Sequence, residues 1–280
     1  MGISPILMAA LPFMIAAMVV EAVLTARAGH PAYQGRDFCA SMSQLVGNSL
    51  VNFAVGGVVV GFYIYLHQFA LFEIGSSIWE LALLLVLIDF LFYWFHRASH
   101  RVRLLWGIHV SHHSSELMNF GTALRQPWLT PLPRVLFYWP VPVIGFDPLL
   151  VGTVGAIATI YGFWTHTETI RWRGGWLGYI FVFPTHHRVH HGANPIYIDK
   201  NYANFLIIWD RLFGTYQDEV EPVKYGITAP INTYNPLKIA FGEWFGMISD
   251  MIKARRLMDA LRYMWMPPGW QPKVMEKQDG

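Results

Sequence analysis

In the stretch Asp89-Phe-Leu-Phe-Tyr-Trp-Phe-His96-Arg-Ala-Ser-His100, an apolar run passes directly into two histidines four residues apart. On a helix both imidazoles leave one face. The apolar part extends back to about Ser77, with its core at Leu81–Ile88, so this segment reads as a membrane span whose polar end carries metal ligands. The surrounding chain fits that reading. It is 54% hydrophobic and 14% charged, where soluble domains carry about 25% charged residues. The net charge of +2 is too small to argue for nucleic acid. The lone cysteine, Cys39, excludes an internal disulfide and is expected as a buried apolar thiol.

Working outward, a first span is expected from Ile3 to Leu24, with no basic leader before it that would suggest a cleaved signal. A second lies in the charge-free run Phe38–Phe72. Between Val135 and Thr167 the only formal charge is Asp147, in Phe146-Asp147-Pro148, which reads as the turn of a helical hairpin or of a shallower re-entrant pair. Basic residues cluster after the third span and after the hairpin, which predicts an outside N-terminus and a cytoplasmic histidine region. From Pro236 to Trp265 an apolar stripe interrupted by Lys253, Arg255, Arg256 and Arg262 predicts an amphipathic helix, either on the membrane surface or packed on the catalytic part.

Ten of the twelve histidines lie between His96 and His191. His109 pairs with His112 and His113, and His187 with His190 and His191, at helical spacing; His166 stands alone before Thr167-Glu168. Nine imidazoles exceed the four ligands of one zinc and suit two metals. His186 shares a helix face with His190 but not with His187, so acting through a ligand and acting as one both stay open for it, and His30 and His67 are expected to be structural. Asp89 lies two helical turns before His96 and is a candidate to orient a ligand. Glu116 and Glu168 are candidate site carboxylates. Neither makes the Glu-x-x-His pairing of soluble carboxylate di-iron bundles. Arg125, Arg188 and Lys200 are candidates to hold an anionic head group, or simply serve the charge bias of the loops.

His96-x3-His100, His109-x2-His112-His113 and His187-x2-His190-His191, in that order between apolar spans, resemble the fatty acid hydroxylase/sterol desaturase superfamily. Within it the chain is similar to the alkylglycerol monooxygenase branch, on Thr122-Ala-Leu-Arg-Gln126, Pro184-Thr-His-His-Arg-Val-His-His191, Asp199-Lys-Asn-Tyr202 and Leu206–Thr215. The resemblance implies two iron ions held by His96, His100, His109, His112, His113, His166, His187, His190 and His191. It also implies O2, and tetrahydrobiopterin or another external electron donor. The reaction implied is hydroxylation of a lipid beside an ether oxygen, with Glu116 and Glu168 as site acids; the hemiacetal so formed collapses to an aldehyde and a glycerol product. Sterols, acyl chains and ornithine-lipid head groups stay open as substrates, as does desaturation by the same centre.

The expected fold is all-α: an integral-membrane helical bundle with a cytoplasmic, histidine-rich di-metal cap. Residues 1–280 form one domain, with 1–95 mainly spans, 96–225 the histidine clusters and hairpin, and 236–265 the amphipathic helix. A metal transporter would spread its ligands through the depth of several spans, and a metalloprotease would carry His-Glu-x-x-His. Neither pattern is present.

Overall fold

The computed structural model describes residues 5–272; the first two residues of the expected first span, Ile3 and Ser4, lie outside it. The described chain is helical, with no strand beyond two isolated bridges. Four helices are long and apolar enough to cross a membrane: α1 (Pro5–Arg27), α2 (Gly35–His67), α3 (Ile78–Arg101) and α7 (Pro148–Thr165). Their outer faces show what they are built for. Phe13, Phe53 and Val58 are each more than 70% exposed, a surface that lipid rather than water accommodates.

Capping chemistry sets the helix starts. Glu80 Oε2 accepts the Ser77 amide (2.8 Å) and Oε1 the Gly75 amide (3.0 Å), closing the first turn of α3. Asp147 Oδ1 accepts the Leu149 amide (2.7 Å), with Pro148 opening α7. The arm before that turn differs from a full span. Pro140 and Pro142 cut it into α5 (Pro131–Tyr138) and α6 (Pro140–Ile144), of 8 and 5 residues, because an interior proline removes a helix hydrogen bond. A span needs about 20 residues, so of the two arms α7 alone is long and apolar enough to cross a membrane.

The ends of these helices sort to two poles. At one, the loop after α2 docks on the tip of α6, with the Leu71 amide on the Val143 carbonyl (2.8 Å). His67 Nε2 lies 3.3 Å from the Gly145 carbonyl there, a structural contact. At the other pole α1, α3 and α7 finish and α2 begins, joined by α4 (Arg103–His113), α8 (Pro184–His190) and α9 (Ile208–Leu212). The expected C-terminal amphipathic helix is two helices, α10 (Pro236–Lys253) and α11 (Leu257–Trp265), broken at Ala254–Arg256. Helix α10 packs on α4 so closely that a Cβ on Gly107 would come 2.4 Å from the Trp244 indole. Cys39 is exposed on α2, not buried, since its neighbours Asp37, Ala40 and Ser41 take the inward face.

Candidate metal centre

Nine imidazoles converge where α3, α4, α7 and α8 meet. They form two sets: His96, His100, His109, His113 and His190, and His112, His166, His187 and His191. In each set one nitrogen per ring lies within 4.8 Å of all the others. The sequence groups His109, His112 and His113 together, and the structure divides them. A helix advances about 100° per residue, so an i+4 neighbour lies about 40° to one side and an i+3 neighbour about 60° to the other. His96 with His100, His109 with His113, and His187 with His191 therefore stay together, while His112 and His190 turn to the opposite set. The sets abut: the His113 and His191 rings stack at 4.3 Å between centroids. No carboxylate belongs to either set among the described residues.

Backbone carbonyls fix the tautomers. His96 Nδ1 donates to the Tyr202 carbonyl (2.6 Å), His112 Nδ1 to Arg125 (3.2 Å), His166 Nδ1 to Gly162 (2.7 Å) and His190 Nδ1 to Lys200 (2.9 Å). A carbonyl only accepts, so each of these neutral rings carries its proton on Nδ1 and points a bare lone pair inward from Nε2. His112 Nε2 and His166 Nε2 then face each other at 3.2 Å with no proton between them. His190 Nε2 is buried without any hydrogen-bond partner. Lone pairs converging in a buried space repel unless a cation stands among them. Burial holds the rings neutral as a metal requires: it pushes His112 down to about 4 and His190 to about 3. Burial first, then the neighbouring rings, hold His109, His113, His187 and His191 well below the usual value. The donor set fits a metal centre.

The carbonyls are themselves held. Asp199 (φ 61°) and Asn201 (φ 53°) are left-handed, a conformation that Asp and Asn tolerate better than most. They turn the loop so that the Lys200 and Tyr202 carbonyls face His190 and His96. Asp210, buried in α9, accepts the Tyr202 amide (2.8 Å), the Ala203 amide (2.9 Å) and the Thr215 hydroxyl (2.6 Å). Asp89 touches no imidazole. Its carboxylate accepts the Phe205 and Leu206 amides and the Trp209 indole, each at 2.9 Å, because the α9 segment rather than His96 lies over that turn of α3. It tethers this segment to α3. His186 stands outside both sets, its Nδ1 accepting the Phe183 amide (3.0 Å).

Arg125 and Arg188, candidates for a head group, are spent internally. Arg125 is buried and donates to Asp37 Oδ1 (2.5 Å), Ser41 (3.2 Å) and Ser114 (2.8 Å). Arg188 donates to Glu219 (2.7 Å) and to the carbonyls of Thr167 and Ile170 (3.1 and 2.9 Å). Lys200 is half-buried. Glu116 and Glu168 are exposed; Glu168 accepts the Tyr225 hydroxyl (2.9 Å), and Glu116 lies against Gly226.

Glu21, on α1, escaped the sequence reading, although a carboxylate in an apolar run was the available signal. It is 2% exposed and ties α1 to the centre. Its carboxylate accepts the Phe120 amide (2.8 Å), the Tyr33 hydroxyl (2.6 Å) and the hydroxyl of Thr167, next to His166. Glu21→Leu makes α1 more apolar yet leaves these donors without an acceptor. The expected result is a loss of about 3 kcal/mol, measured by thermal unfolding in detergent.

The fatty acid hydroxylase profile matches residues 81–215, from the first turn of α3 past the last of the nine histidines. These residues belong to the fatty acid hydroxylase family. The chain is also 40% identical over 238 residues to alkylglycerol monooxygenase of Xenopus tropicalis, covering 84% of this chain and 53% of that protein. It is 37% identical over 266 residues to the Homo sapiens enzyme of that name, covering 94% and 59%. It is 31% identical over 162 residues to ornithine lipid hydroxylase OlsE of Rhizobium tropici, covering 54% and 46%. The chain thus spans little more than half the length of the alkylglycerol monooxygenases it matches. No solved structure matches it. The family match and the four apolar helices make this a membrane protein, and its two histidine sets fit a metal centre.

Proposed function

We propose that the protein is a multi-pass, oxygen-dependent di-iron lipid monooxygenase that hydroxylates alkylglycerols beside the ether oxygen, with its centre on the cytoplasmic face. The observation that carries the metal is the facing, proton-free pair His112 Nε2 and His166 Nε2 at 3.2 Å. The division of nine nitrogens into five and four supports two irons, one per set. The substrate rests on likeness to proteins named alkylglycerol monooxygenase.

Bound iron supplies oxygen activation, the hard part of the chemistry. The chain's residues do the rest. His96, His112, His166 and His190 are aimed by carbonyls before any metal arrives, so little ordering remains to be done on binding. Glu116 and Glu168, with Tyr225, lie at the polar edge and take the hydroxylated end of the lipid. Burial and Glu168 hold the Tyr225 phenol above its ordinary value, so Tyr225 stays a donor. The Glu168 carboxylate is suited to accept the hemiacetal hydroxyl proton as the carbon–oxygen bond opens, while the leaving glyceryl oxygen takes a proton from the Tyr225 hydroxyl or water, giving aldehyde and glycerol. Tetrahydrobiopterin or another external donor supplies the electrons.

The test is iron-reconstituted protein with O2, tetrahydrobiopterin and a 1-O-alkylglycerol, with ornithine lipid, fatty acyl and sterol substrates beside it. Long-chain aldehyde and free glycerol are expected. A product with a new double bond and no added oxygen overturns the hydroxylase reading. Hydroxylated ornithine lipid without ether cleavage overturns the substrate.

A further inference from the structure

Helices α10 and α11 each present two unlike faces. On α10, Ile239, Ala240 and Met247 are buried, and Glu243 Oε1 and Asp250 Oδ2 both take Arg103 of α4 at 2.7 Å. On α11, Tyr263 is buried beneath the Arg103 guanidinium, 5.6 Å from its ring centroid. These inner faces clamp α4, the helix that carries His109, His112 and His113.

The outer faces are apolar and bare. Leu237, Phe245, Ile248 and Ile252 recur at helical spacing with exposures of 57, 68, 44 and 79%. Leu257, Met258, Leu261 and Trp265 continue the surface on α11. Where the helices join, Lys253, Arg255 and Arg256 are exposed, with no ion pair to any of them among the described residues. The acidic groups of these two helices are engaged: Glu243 and Asp250 with Arg103, and Asp259 with Arg262 (3.1 Å). So the apolar surface carries an uncompensated basic corner.

We propose that α10 and α11 form a paddle that rests in the headgroup layer of an anionic leaflet, apolar side chains inward and the 253–256 corner on lipid phosphates. Two observations select lipid over a protein partner. Basic charge beside a broad apolar face suits an anionic lipid surface, where each Lys or Arg contributes about 1 kcal/mol. The paddle also starts at the membrane: Gln44, in the apolar α2, donates to the Pro236 carbonyl (3.0 Å), the first residue of α10. The same helices that touch lipid therefore set the height of α4 and its histidines above the bilayer. The proposal does not depend on which metal or substrate the centre takes.

The single native cysteine makes the test clean. In a Cys39→Ser chain, Phe245→Cys, Ile252→Cys and Leu261→Cys each carry a spin label, as does Ser249→Cys, a half-buried site for comparison. The full chain is placed in nanodiscs of phosphatidylcholine with or without phosphatidylserine. The expected result is that oxygen relaxes the labels at 245, 252 and 261 more than a water-soluble nickel chelate does, reversing the ratio of a label in water. Phosphatidylserine should shift that ratio further toward oxygen, and Lys253→Glu/Arg255→Glu/Arg256→Glu should abolish the shift. Nickel dominating at all three sites overturns the proposal. So does spin–spin broadening between chains, which marks a second copy on the same face. Indifference to phosphatidylserine overturns the anionic assignment.

Discussion

A His112→Ala/His190→Ala chain is expected to lose its iron and, with it, lipid oxidation by at least about 100-fold. The two substitutions strike both nitrogen sets at once, since His112 belongs to the set of four and His190 to the set of five. Each removes a ring whose Nδ1 is already held by a carbonyl, at Arg125 and Lys200, so a ligand in its working orientation is what disappears. Elemental analysis of detergent-purified protein, before and after iron reconstitution, checks it. His186→Ala is the matched control: His186 adjoins His187 in the sequence but belongs to neither set, packing instead on Phe183 and Tyr216, and its loss should leave the metal content unchanged. Equal metal in the double variant and the parent would overturn the centre.

An Asp210→Ala chain is expected to lose about 3 kcal/mol of stability and to hold iron ~10–100-fold more weakly, although Asp210 touches no histidine. Its buried carboxylate accepts two amides and a hydroxyl. Without it, the Tyr202 and Ala203 amides and Thr215 lose their acceptor, and the loop that aims the Tyr202 carbonyl at His96 Nδ1 loosens. Asp210→Asn keeps one acceptor oxygen and should fall between. Iron titration with a competing chelator, beside thermal unfolding, separates positioning from bulk stability. A variant that melts early yet binds iron as tightly as the parent would confine Asp210 to a structural part.

Much of the site was legible locally. An apolar run long enough to cross a bilayer is a property of consecutive residues, and it located all four long helices, the fourth as the return arm of the hairpin. Histidines four apart share a helix face by geometry alone, and the i+4 pairs His96–His100, His109–His113 and His187–His191 each stay within one nitrogen set. The apolar count left a full hairpin and a shallower re-entrant pair both open, and Pro140 and Pro142 mark in the sequence where the first arm breaks.

What the chain alone determined is therefore its spans, its helix-borne histidines and its family, because each is carried by spacing along one element. Tertiary structure decided which histidine meets which. His166 joins the set of four only because α7 ends beside α4 and α8, and His112 parts from His113 because two partners approach α4 from different sides. The same holds for the buried acids. Glu21 finds its donors 99 and 146 residues away, and Asp89 finds its own 116 to 120 residues away. A carboxylate's role depends on which donors packing brings to it, and no periodicity within a single helix contains that choice.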